Sequence, residues 1–291
     1  MCGKYKQHPK FWYSDGSIVV RVDDETVFRI HKSMLEKLSD DMRSILAIPD
    51  GKDPRDPTRE GSGAYPLHIQ GIAVIEWTDF LQWMYRAEWE SLGKSDEERE
   101  RICTSLLKLA DKWNIEPAKK CAIENLQTMN LRPARLVQLA GMFDIPDWVG
   151  PAVTKILEDK VTTLSTDDTS ALGLRVYTML VKAQSLLEVE TRRIAFVPPA
   201  IAKDPSWQCK NHASCRATWP KVWFEKIGKR LLHAANPLQL KDIKMEVLRQ
   251  SFGLSDFCEL DVQALVVGTT FPHEQIIPAC AARIVEYHKS L

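Results

Sequence analysis

The chain has 291 residues, 39 basic and 39 acidic side chains, a formal net charge of zero, and 44% apolar residues. That length allows about two domains. The composition excludes global disorder and a collagen-like chain, and a neutral chain lacks the basic excess of a non-specific nucleic-acid or membrane-surface binder. No run reaches the ~18 apolar residues of a membrane helix. The opening residues Met1 to Pro9 lack a secretory apolar core, so the expectation is an intracellular protein, with cytoplasm and nucleus not distinguished. Its seven cysteines, an odd and scattered set (Cys2, Cys103, Cys121, Cys209, Cys215, Cys258 and Cys280), are then expected to stay reduced.

Along the chain, Ile18, Val20 and Val22 alternate as one face of a strand requires. Asp23 and Asp24 supply turn chemistry, and Thr26 to Ile30 make a second strand, so residues 17–30 read as a hairpin. Met34, Leu35 and Leu38 recur at helical spacing, and Ser39 is placed to cap a short helix carrying Met42, Ile45 and Leu46. Residues 49–64, rich in Pro, Gly and Asp, read as an exposed, protease-sensitive loop. A short strand over Pro66 to Ile69 follows. Trp77, Phe80, Leu81, Met84 and Tyr85 then form one apolar helical stripe. Two more helices carry Ile102, Leu106, Leu109 and Trp113, and Ala118, Ala122 and Leu126. The order is that of an α+β unit.

These residues resemble a family. Trp12-Tyr13-Ser14-Asp15-Gly16-Ser17-Ile18-Val19-Val20 is similar to the opening of a BTB/POZ domain, and Phe28-Arg29-Ile30-His31-Lys32-Ser33-Met34-Leu35 with Ser39 to its "F-x-v-H-k-x-x-L…S" core. Leu67 to Ile72 with Phe80 to Tyr85 resembles its third strand and the following helix, and Leu106 to Trp113 its fourth helix. The lead-in Lys10-Phe11-Trp12 and the proline-rich loop look most like the BTB proteins of basidiomycete fungi. The resemblance implies a BTB/POZ fold over residues 10–130, a small three-stranded sheet flanked by helices. It also implies homodimerisation, with Trp12, Tyr13 and Asp15 at or near the interface. The bare residues leave Asp15 open between turn residue and interface carboxylate, and Trp83 open between core and partner surface, with Trp89 a further candidate aromatic.

Two further regions are expected to be helical. In 131–195, Leu136, Leu139, Ala140 and Phe143 stripe one helix, and Val149, Ala152, Val153, Ile156 and Leu157 a second that Asp147 is placed to cap. This pair resembles the helices that follow BTB domains. Ser165 starts another helix, and Leu174 to about Arg193 forms one more. In 196–291, helices are expected around 219–233, 239–251 and 278–289.

No G-x-G-x-x-G, Walker A, G-x-S-x-G or H-E-x-x-H pattern occurs, and no local signature pairs a nucleophile with a base. The expectation is a non-enzyme. His31, at a strand–helix junction, reads as a fold residue bonding backbone there. Cys209-x2-His212-x2-Cys215 with Cys258-x2-Asp261 offers thiolate, imidazole and carboxylate, the donors zinc accepts. Two readings stay open: a zinc staple through Cys209, His212, Cys215 and Cys258, or reduced cysteines beside a Trp-rich core. Lys221, Lys226, Lys229 and Arg230 near Trp219 and Trp223 suggest RNA only weakly, because Glu225 interrupts them; a solvated helix face is the better reading.

The function expected is non-catalytic protein binding: homodimerisation through the BTB unit and partner capture by the C-terminal helices. The alternatives are a substrate adaptor for a cullin ubiquitin ligase and a zinc-stapled transcription regulator. Cullin adaptors carry a hydrophobic-x-Glu motif before the third strand; here Glu60 follows Thr58-Arg59 and departs from it.

Overall fold

The computed structural model describes residues 5–23, 25–47, 60–85, 95–201 and 209–291. The chain divides into two compact units, Met1–Leu131 and Arg132–Leu291. Residues 132–291, read from the sequence as two regions, fall in one of them.

The first unit is α+β. Strands β1 (Lys6–Trp12), β2 (Ile18–Val22), β3 (Thr26–Ile30) and β4 (Leu67–Ile69) form a mixed sheet in the order β1-β3-β2-β4. The expected hairpin is present: β2 and β3 pair antiparallel with Val20 opposite Phe28, and β4 joins β2 in parallel with Leu67 beside Val20. Asp23 makes the turn at φ 58°, and its Oδ1 accepts from the backbone N–H of Glu25 and Thr26 at 2.8 and 2.9 Å.

The sheet has four strands, not the three expected, because β1 pairs in parallel with β3 along the edge. Its sequence, Lys-Gln-His-Pro-Lys-Phe-Trp, buries only Phe11 fully, so no apolar alternation announced it. Charge and proline are what an edge strand tolerates, since neither N–H loss nor solvation disturbs an unpaired side.

Helices α1 (Lys32–Glu36), α2 (Asp40–Leu46), α3 (Val74–Met84), α4 (Asp96–Lys112) and α5 (Glu116–Gln127) complete the unit. Ser39 caps α2 as its position requires, accepting from the Met42 N–H at 3.1 Å. The α3 stripe is buried at Trp77, Phe80, Leu81 and Met84, and Trp77 meets Trp113 edge-on at 5.7 Å. Most of the 49–64 loop lies outside the described residues. Its described end is tied to the sheet, with the Val19 N–H donating to Gly61 O at 2.7 Å.

The second unit is helical, and no strand occurs among its described residues. It comprises α6 (Pro133–Met142), α7 (Val149–Asp159), α8 (Thr166–Phe196), α9 (His212–Trp223), the short α10 (Lys229–Leu231), α11 (Ile243–Arg249), α12 (Asp256–Gly268) and α13 (His273–Lys289). Asp147 sits inside a 3-10 turn, Pro146–Trp148, so α7 begins without the side-chain cap expected of it. Ser165 and Asp168 form a reciprocal capping box at the start of α8. That helix is interrupted at Gly173, whose φ of 71° is non-helical, so its long second segment begins at Leu174 as the sequence indicated.

Pro220 lies within α9 and removes one backbone donor. A π-type turn follows at Phe224–Gly228. A Cβ on Gly228 would stand 2.3 Å from the carbonyl oxygen of Ala195, so only glycine lets this turn pack on the end of α8. Trp219 and Trp223 fix the same junction, donating their indole N–H to Pro199 O and Ile194 O at 2.9 and 2.8 Å. Both rings are buried in a core with Val247, Phe252, Val262 and Phe271.

Helix α12 has no counterpart among the sequence expectations. Its buried stripe, Cys258, Val262 and Val266, is masked by exposed Phe257, Leu260 and Val267 on its other faces.

Candidate metal centre

Cys209 lies just before α9, His212 opens that helix, and Cys215 is one turn further on. Three residues apart on a helix, His212 and Cys215 share a face. Cys258 stands in the first turn of α12. All four side chains are buried.

The three cysteine sulfurs lie within 4.8 Å of one another. Cys258 Sγ is 3.4 Å from Cys209 Sγ and 3.5 Å from His212 Nδ1. Zinc bonds of ~2.3 Å to sulfur and ~2.0 Å to nitrogen give tetrahedral edges of about 3.8 Å between sulfurs and about 3.5 Å between sulfur and nitrogen. The three cysteines therefore have the chemistry and close spacing of a metal site, while His212, near Cys258, does not lie within 4.8 Å of all three sulfurs. Asp261 is exposed one turn along α12 and is not part of the group.

Ser255 completes the surroundings, and sequence reasoning missed it. It occupies the N-cap position of α12 yet makes no side-chain cap bond. Its hydroxyl turns instead to the sulfurs, 2.9 Å from Cys209 Sγ, while the Cys215 thiol donates to it at 3.7 Å. The segment before it is held by Glu259, whose carboxylate accepts from the backbone N–H groups of Phe252 and Leu254. A serine three residues before a cysteine at a helix start was the available signal.

The hydrogen bond with Ser255 brings the Cys209 thiol down to about 7. Burial pushes Cys258 the other way, up to about 11. A divalent cation would resolve this conflict, since it stabilises buried thiolates that an apolar site otherwise disfavours. No disulfide occurs among the described cysteines.

The residues singled out in the first unit lie elsewhere. Trp12, at the end of β1, and Tyr13 are half-buried, and Asp15 is exposed. The Tyr13 ring packs on Tyr85 at 4.9 Å and on His31 at 5.3 Å. His31 bonds side chains and not the backbone expected: its Nε2 is 3.2 Å from Asp15 Oδ2, and its Nδ1 is 2.9 Å from the Tyr85 hydroxyl. That hydroxyl also accepts from the His31 backbone N–H at 3.0 Å. With the hydroxyl donating to Nδ1, Nε2 carries the proton that faces Asp15. The hydrogen bond from His31 draws the Asp15 carboxyl below its ordinary range. Trp83 is half-buried beside Phe80 at 5.8 Å. Cys2 and Trp89 lie outside the described residues.

The basic residues after Trp219 stand beside buried aromatic rings. Both tryptophans are buried, Lys229 pairs with Glu225, and Arg230 pairs with Glu246. Among the described residues, no helix is long and apolar enough to cross a membrane. Comparison of the whole chain with protein-family models, curated proteins and solved structures found no match.

Proposed function

We propose that this chain is a non-catalytic protein-binding protein with a structural zinc in its second unit. The convergence of Cys209, Cys215 and Cys258, with His212 Nδ1 3.5 Å from Cys258 Sγ, carries this reading. With His212 turned onto the metal beside the three thiolates, four protein donors would close a tetrahedron and leave no position for a reacting water, which is the arrangement of a structural site. The metal would tie the start of α9 to the start of α12, which are 46 residues apart between His212 and Cys258. It would offset the loss of chain entropy in closing that loop.

The first unit supplies the second half of the reading. Its small sheet with flanking helices is compatible with a BTB/POZ domain, and the motifs from Trp12 to Trp113 support that likeness. On this reading the unit homodimerises, with Trp12, Tyr13 and Asp15 near the contact, and the helices of the second unit hold a protein partner. Light scattering across micromolar concentrations tests the dimer. The expected mass is twice 33.2 kDa. A single-chain mass throughout that range would refute it.

A further inference from the structure

Helix α13 packs against α8, and a groove of about 570 Å³ runs beside their contact. Its α8 wall includes Leu174, Lys182 and Leu186, and its α13 wall includes Ala279 and Arg283. Leu174 and Leu186 are 82% and 56% exposed, an unusual cost for two leucines on one helix. They lie 12 positions apart, which on a helix is about 18 Å, or three turns. Ala183, Met179, Ile276 and Cys280 add apolar lining between the two helices.

The charge of this groove is one-sided. Arg175, Lys182 and Arg283 line it, and no Asp or Glu does. None of the three makes an ion pair among the described residues; Arg175 lies over the Tyr287 ring at 4.6 Å. In a chain whose charges balance at 39 and 39, three unpaired cations around an apolar floor are a local excess. A ligand that fits must cover leucine and neutralise cations over about three helical turns.

We propose that the α8–α13 groove binds an acidic amphipathic helix of a protein partner. Its apolar stripe would lie on Leu174 and Leu186 and its flanking carboxylates would face Arg175, Lys182 and Arg283. This rests on the reading of the second unit as a partner-binding surface and names the partner's chemistry.

Fluorescence anisotropy with three labelled 16-residue peptides tests it on the full chain. One carries leucine at i, i+3, i+4 and i+7 with glutamate elsewhere, the second replaces the glutamates by lysine, and the third scrambles the first. The expected result is saturable binding of the first at micromolar concentration, weakened by salt, with the other two at least about tenfold weaker. Lys182→Glu and Arg283→Glu should each weaken it about tenfold. Lys155→Glu, on the exposed face of α7, should not. Circular dichroism confirms that the variants fold. Equal binding of the glutamate and lysine peptides, or no effect of Arg283→Glu, would overturn the groove proposal. Light scattering on the same samples separates the two readings: a failed titration with an intact dimer removes the groove alone. A dimer lost in Arg283→Glu would show that a second copy covers the groove, and would overturn the peptide assignment.

Discussion

The sulfurs of Cys209 and Cys258 lie 3.4 Å apart although 49 residues separate them in the chain. Two helices resting on one core bring them there. Trp219 of α9 and Val262 of α12 are buried in the same cluster, and Trp219 meets Phe252 edge-on at 5.2 Å. That shared core brings the helices together, and the three sulfurs then meet near the helix starts with His212 beside Cys258.

Ser255 should matter to the metal without being a ligand. Its hydroxyl lies 2.9 Å from Cys209 Sγ and orients that sulfur. Groups of this kind typically change metal affinity 10–100-fold. Ser255→Ala is expected to weaken zinc by roughly that factor in competition with a chromophoric chelator, while the helical signal of the zinc-loaded protein stays unchanged. Unaltered affinity would remove Ser255 from the site.

Gly228 tests the junction that carries α9. With the Ala195 carbonyl 2.3 Å from the site of a Cβ, Gly228→Ala must shift the turn or the end of α8. Overpacking of this sort costs about 1–3 kcal/mol. Urea denaturation should show a lower midpoint with little change in slope. An unchanged midpoint would mean that the turn relaxes freely.

The Asp15–His31 pair predicts a pH signature. The Asp15 carboxyl titrates below its ordinary value because His31 donates to it. A depressed carboxyl contributes stability that is present above its unfolded value, near pH 4, and is lost as pH falls through the folded one. Asp15→Asn should therefore lower the thermal midpoint at pH 6, and the difference should shrink as pH falls below the ordinary carboxylate value of about 4. The effect should be small, because Asp15 is exposed. A difference that persists unchanged at low pH would contradict the pairing.

Periodicity carried the sequence reading where one face of an element is buried and the other wet. The Trp77 stripe of α3 and the Val149 stripe of α7 have that form, while β2 showed the alternation of Ile18, Val20 and Val22 although Val19 on its other face is buried too. It failed for β1, an edge strand with one fully buried residue, and for α12, where Phe257 and Leu260 face solvent. The metal donors were legible as a spacing, because Cys209, His212 and Cys215 recur every three residues into the start of one helix, and Cys258 was named with them on its chemistry. Which donors actually come close was not legible, since it depends on packing at Trp219 and Phe252 that no local pattern encodes. The α8–α13 groove was hidden for a related reason. Leu174 and Leu186 fall off the buried stripe of Val176, Leu180, Ala183 and Leu187, and a stripe reading passes over them.

Cys209, His212, Cys215 and Cys258 are proposed to hold zinc. Elemental analysis of protein purified without chelator tests this most directly, with Cys215→Ser measured beside it. About one zinc per chain is expected in the parent and none in the variant. The variant's helices in 132–291 should loosen while the first unit stays folded, because metal and folding are coupled only where the ligands sit. A parent protein that folds fully and contains no zinc would contradict this proposal.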